Sequence, residues 1–139
     1  MDNNRILHSL SVAHKMIDIG TNLNLKKEEL DTLFIIGINH DIGYEFDKDN
    51  HAISGAEKLK ELGFTYYKEI YYHGTLQQEY NSLYLDILNM ADMQIDKCGN
   101  DVGYDNRLKD IESRYGKDSI VYKKCLELID YLRNKYKEI

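Results

Sequence analysis

Apolar residues recur at helical spacing along nearly the whole chain, and strict alternation of apolar and polar residues is nowhere sustained. A half-buried strand needs that alternation, whereas an amphipathic helix needs a repeat of three to four residues. The chain also lacks proline, which suits helices joined by Gly, Asn and Asp turns. The pattern predicts an all-α fold, a helical bundle of about six to seven helices. At 139 residues the chain has the length for a single domain over 1–139 with a genuine core, and not for two.

The expected helices follow from the spacing. Ile6, Leu7, Leu10, Val12, Ala13, Ile17 and Ile19 line a first helix, which Gly20-Thr21-Asn22 ends. Asn24 is the expected N-cap of a second helix from about Lys26 to Asn39, with Glu28 and Glu29 in its favourable first turn. Residues 41–50 read as a polar loop. A third helix runs from His51 to Leu62, with Gly63 as its stop signal, and a short tyrosine-rich helix covers Tyr66 to His73. A fifth spans Tyr80 to Ile95, residues 99–103 form a loop, and Tyr104 to Tyr115 is helical up to Gly116. The last helix uses Ile120, Val121, Cys125, Leu126, Leu128, Ile129 and Leu132.

Composition narrows the partners. A net charge of −6 and a pI near 5.3 argue against a broad basic face for duplex nucleic acid. They leave room for an anionic small substrate, because a bound cation reverses the local sign. No apolar stretch approaches the ~18 residues that span a membrane. Cys98 and Cys125 have neither disulfide nor metal-ligand spacing and read as free thiols of a reducing cytosol, so a cytoplasmic protein is expected. A surface used for homodimerisation would look like core in this sequence, and a homodimer stays open.

The chemistry concentrates at His40-Asp41, which closes the apolar run Leu33, Phe34, Ile35, Ile36 and Ile38. Imidazole and carboxylate are costly to bury unless paired or metal-bound. His8, His51, His73 and Asp92 lie on different expected helices, and side chains from facing helices can converge on a bundle core. Mixed imidazole and carboxylate ligation suits Fe, Mn, Zn, Co or Ni better than Ca, which prefers oxygen. Six candidate ligands exceed the needs of one ion. Two divalent ions ~3.5–4 Å apart, bridged by Asp41 and a water, would use them all. His8, His40 and Asp92 would hold one ion, and His51 and His73 the other. A bridging water of lowered pKa then becomes a hydroxide able to attack phosphorus. His14 lies about 240° around the helix from His8 and reads as a surface or satisfied histidine. Asp96 reads as solvated or as support for Asp92. The tyrosines Tyr66, Tyr67, Tyr71 and Tyr72 read chiefly as core with a wet hydroxyl. Arg5 is three residues before His8 and suits bidentate phosphate binding; Lys97 and Arg107 are further substrate-binding candidates.

In order and local texture these residues resemble the HD-domain phosphohydrolase superfamily. Arg5-Ile6-Leu7-His8-Ser9-Leu10-Ser11-Val12-Ala13 looks like its first helix, and Ile36-Gly37-Ile38-Asn39-His40-Asp41-Ile42-Gly43 like its central motif. His51-Ala52-Ile53-Ser54-Gly55-Ala56 resembles the extra histidine helix of a subgroup that includes HD-GYP-like and symmetrical dinucleoside-tetraphosphatase-like members. Tyr72-His73-Gly74-Thr75 and Met90-Ala91-Asp92 resemble that subgroup's later motifs. The resemblance covers roughly residues 5 to 95. It implies an all-α fold, one or two divalent metals, and hydrolysis of a phosphoester or phosphoanhydride bond in a nucleotide-like molecule. His8, His40, Asp41 and Asp92 carry over as the core ligands, and His51 and His73 as those of dinuclear members.

The sequence also departs from the subgroup. Tyr44 and Glu45 stand where many dinuclear members carry a lysine. The GYP signature is absent, so cyclic di-GMP hydrolysis is not expected, and residues 94–99 do not follow the tetraphosphatase pattern. Two other readings of the same ligands stay open: a non-catalytic metal-containing sensor of a nucleotide or of redox state, and a diiron oxygenase-like enzyme.

Overall fold

The computed structural model describes residues 1–137. Seven helices account for the described chain: α1 (Asn3–Asn22), α2 (Lys27–Asn39), α3 (His51–Glu61), α4 (Tyr67–Tyr72), α5 (Leu83–Asp92), α6 (Gly103–Tyr115) and α7 (Ile120–Lys135). There is no strand among the described residues, only a single antiparallel bridge between Ile95 and Asp101 in the loop after α5. The all-α expectation holds.

Local chemistry sets the helix starts. Asp2 accepts from the Arg5 backbone N–H at 2.8 Å, Ser82 from Leu85 at 3.0 Å, and Ser119 from Tyr122 at 3.1 Å. Each side chain thereby satisfies an amide that the helix itself leaves unpaired. Glu29 Oε1 accepts from the Lys26 amide, so Lys26, not Asn24, caps α2. Asn24 instead takes a left-handed conformation, φ 61°, in the turn that follows α1. Residues 80–82 precede α5 because Ser82 is the capping residue. The expected polar loop after α2 is partly ordered, with 3₁₀ turns at Ile42–Glu45 and Lys48–Asn50.

α1 ends at Asn22, within the expected Gly20-Thr21-Asn22 stop. Gly20 itself is still helical and lies buried against α2, where a Cβ would meet Leu30 and Leu33 at 2.7 Å. Gly37 makes the same close approach from the other side, its missing Cβ facing the Ala13 backbone at 2.6 Å. These two positions bring α1 and α2 close together, and that spacing sets how His8 and His40 meet.

The main core gathers Val12, Met16, Ile36, Ile87, Leu88 and Leu128 with their neighbours from α1, α2, α5, α6 and α7. A smaller cluster, Ala56, Leu59 and Ile70, joins α3 to α4. Several apolar residues expected inside are exposed, among them Ile6, Leu7, Leu10, Ile53, Ile120 and Val121. The reason is that α1 turns its His8, Ser9, Val12 and Met16 face inward, which rotates Ile6 and Leu10 toward solvent. Buried carboxylates other than Asp41 and Asp92 are satisfied by nearby side chains. Glu69 accepts from Tyr80 and Ser82, and Asp86 accepts from Tyr136 and Lys135. No helix among the described residues is long and apolar enough to cross a membrane.

Candidate metal centre

All six candidate ligands converge. His8 comes from α1, His40 and Asp41 from the end of α2, His51 from the first residue of α3, His73 from just past α4, and Asp92 from the last residue of α5. The last-turn and first-turn positions place the side chains at one end of the bundle, around the close approach of α1 and α2. His8, His40, Asp41, His73 and Asp92 are buried, while His51 is half-buried at the mouth.

Asp41 is the hub, and its two oxygens face different neighbours. Oδ2 lies 3.4 Å from His40 Nε2 and 3.6 Å from His8 Nε2. Oδ1 lies 3.5 Å from His51 Nε2 and 3.6 Å from His73 Nε2. Asp92 Oδ1 stands 2.9 Å from His8 Nε2 and 3.4 Å from His40 Nε2. Ligand atoms about 2.1 Å from one ion, at right angles, lie about 3 Å apart. The observed separations are close to that spacing, as a site that could hold a metal requires. In three overlapping groups the ligand atoms all lie within 4.8 Å of one another: His8, His40 and Asp41; His40, His73 and Asp92; and Asp41, His51 and His73.

The histidines are aimed by their far nitrogens. His8 Nδ1–H donates to the Asp96 carbonyl at 2.8 Å, His40 Nδ1–H to Gly37 at 2.7 Å, and His73 Nδ1–H to Ile70 at 2.6 Å. A carbonyl only accepts, so each bond puts the proton on Nδ1 and leaves Nε2 as the ligand atom, as metal-binding histidines require. Asp96 thus supports His8 through its backbone, while its carboxylate accepts from the amides of Cys98 and Asn100. His40 Nε2 is fully buried without a hydrogen-bond partner. Such an orphan is rare in a native core and fits a group awaiting a cation. The donor set and this orphan atom fit a divalent transition metal.

The charges are arranged accordingly. Burial draws His40 toward its neutral form, yet Asp41 and Asp92 outweigh it, and its pKa is raised to about 9. Burial alone would raise the carboxyls, but the His40 charge and the histidine hydrogen bonds hold Asp41 and Asp92 well below the usual carboxylate range. Burial, then repulsion from His73, lowers His51 to about 4. Without metal, His40 therefore carries a proton at neutral pH that ligation must displace. Metal affinity is expected to rise by about tenfold per pH unit from pH 7 to 9 for this one proton. Titration calorimetry in buffers of different ionisation enthalpy would read its release. An affinity flat across that range would show His40 to be neutral already.

Around the mouth, Tyr44 stacks on His51, centroids 4.3 Å apart. The Arg5 guanidinium lies 3.4 Å over the other side of that ring system, with Nη1 3.5 Å from Asp41 Oδ2. Sequence reasoning noted Tyr44 only as a departure; its role as a platform between Arg5 and His51 is visible only in three dimensions. Lys97 lines the same cleft. Arg107 does too, but it is buried and donates Nε to the Asp92 carbonyl at 3.2 Å and Nη1 to Asp110, so it also fixes the end of α5. Tyr71 and Tyr72 line the cleft, whereas Tyr66 and Tyr67 pack on the core clusters. His14 is exposed and outside the centre. Arg114 and Lys124 also reach the cleft and went unnoticed in the sequence, although Arg107, Asp110 and Arg114 share a helix face at i, i+3 and i+7.

No curated protein and no solved structure matches the chain. The family model described as HD domain matches residues 5–135, a span that contains every residue of the centre. HD domains bind divalent metals and are mostly metal-dependent phosphohydrolases. With the match running over nearly the whole chain and its histidines and aspartates gathered at one end of an all-helical fold, this protein belongs to the HD domain family.

Proposed function

We propose that this chain is a single-domain metal-dependent phosphohydrolase, cleaving a phosphoester or phosphoanhydride bond in a small nucleotide-like molecule. The observation that carries the reading is the division of Asp41, with Oδ2 toward His8 and His40 and Oδ1 toward His51 and His73. A carboxylate so placed suits two divalent ions. His8, His40 and Asp92 with Oδ2 would hold one, and His51 and His73 with Oδ1 the other. Fe, Mn, Zn, Co or Ni would suit this mixed donor set. When bound, such ions lower the pKa of a coordinated water and neutralise charge developing on phosphoryl oxygens.

The chain's own residues do the remaining work. The carbonyls behind His8, His40 and His73 keep three imidazoles in the ligating tautomer. Tyr44 holds His51 on one side and Arg5 on the other. Arg5 thereby stands beside Asp41 with donors left for a phosphoryl oxygen.

Elemental mass spectrometry on anaerobically purified, untagged protein should give two transition ions per chain. Hydrolysis of phosphomonoester, phosphodiester and phosphoanhydride substrates should vanish with a chelator and return with metal. His51→Ala should lower the metal content by about one ion; full occupancy in that variant would remove His51 from the ligands. Loaded protein that hydrolyses none of these substrates would favour the sensor, and loss of activity without oxygen would favour the oxygenase-like reading.

A further inference from the structure

The cleft that opens from the metal centre encloses about 740 Å³, the volume of a site for a drug-sized ligand and far more than one phosphate needs. Its lining differs in charge along the chain. The segments around α3 and α4 bring Asp49, Asn50, Tyr71, Tyr72, Gln77 and Glu79, with no Lys or Arg. The loop after α5 together with α6 and α7 brings Lys97, Arg107, Arg114 and Lys124. This gathering occurs in a chain whose net charge is −6.

The cationic wall is also ordered. Asp110 Oδ2 accepts from Arg107 Nη1 at 3.2 Å and from Arg114 Nη2 at 3.1 Å. One carboxylate fixes two guanidinium groups and cancels only one of their charges. Lys97 and Lys124 are exposed and line the same cleft. Buried Ile111 and Cys125 line the cleft from the same two helices, and apolar surroundings strengthen attraction to an anion. The thiol of Cys125 is pushed up by burial and stays protonated, so it adds no negative charge.

Resting on the phosphohydrolase reading, we propose that this α6–α7 wall is a second anion subsite, which selects substrates carrying a further phosphate beyond the one at the metals. Arg114 and Lys124 meet that phosphate, while Arg107 mainly positions Asp92 and Arg114. The uncharged part of the substrate lies toward Tyr71 and Tyr72. The preferred class is then a molecule with two or more phosphates, such as a nucleoside polyphosphate or a bisphosphate, over a simple monoester.

The probes are inorganic orthophosphate and pyrophosphate, titrated calorimetrically into metal-loaded protein, with metal content read before and after. Pyrophosphate should bind at least about tenfold more tightly than orthophosphate, a difference of about 1.4 kcal/mol. Arg114→Ala combined with Lys124→Ala should erase that preference. Lys124→Ala alone, at an exposed position on α7, should reduce it about threefold. Lys109→Ala, on α6 but outside the cleft, should leave it intact, which separates a local contact from a general change of charge. Equal affinities for the two anions, a preference that survives the double substitution, or pyrophosphate that acts only by stripping metal would each overturn the subsite. The hydrolase reading stands or falls separately, on metal-dependent turnover.

Discussion

Asp41→Ala is expected to give a folded protein that retains no divalent metal through gel filtration and has lost activity by roughly a thousandfold or more. Asp41 is the residue whose neighbours include all four histidines of the centre. Removing it takes away a donor from both halves of the site at once. It also leaves His40 with Asp92 as its remaining carboxylate neighbour. The substitution creates little strain, because alanine continues from the end of α2 into the turn without altering backbone geometry. Circular dichroism should therefore stay helical while elemental analysis reads no metal. Losing one ion and keeping the other would show that Asp41 serves one half only, and full metal content with activity above about a tenth of the parent's would remove it from the centre.

Gly43→Ala is expected to damage the same site from the backbone side. An ideal Cβ at Gly43 would stand 1.7 Å from the His51 carbonyl oxygen and 2.8 Å from its Cα, against 3.4–4 Å for ordinary contact. Every atom in the way is main chain, so no side chain can rotate to make room. The first turn of α3 must retreat, and His51 is its first residue. Overpacking of this kind costs about 1–3 kcal/mol, and displacement of a site residue by about 1 Å costs around a hundredfold in rate. The expected result is a lower denaturation midpoint together with loss of the ion that His51 would help to hold. A variant with parental stability and full metal content would show that α3 can shift without moving its histidine.

The helical period made the architecture legible, because burial of one face per helix leaves a repeat that survives in any bundle. α2, α3 and α6 lie within a residue or two of expectation, and α7 contains every apolar residue expected of it, since caps, glycine stops and helical spacing are local chemistry. The six candidate positions that converge were legible too, because histidine and aspartate in or beside apolar runs such as Ile36 to Asp41 are costly to bury unless paired or metal-bound. Which apolar residues would be inside was less so. Ile6, Leu10 and Ile53 have helical spacing yet face out. A helix with apolar residues on more than one face does not state which face meets its neighbour.

What the linear order determined was the fold class and the set of His and Asp residues that gather at one site. Both depend on residue type and near-neighbour spacing. What only the tertiary structure decided was which Asp41 oxygen faces which histidines, the Arg5–Tyr44–His51 stack and the gathering of Arg107, Arg114, Lys97 and Lys124 on one cleft. Each joins residues tens of positions apart through packing. Pairwise distances of a few ångströms between such residues follow from how closely α1, α2 and α3 approach, set at Gly37 and Gly43 by contacts that no local pattern encodes.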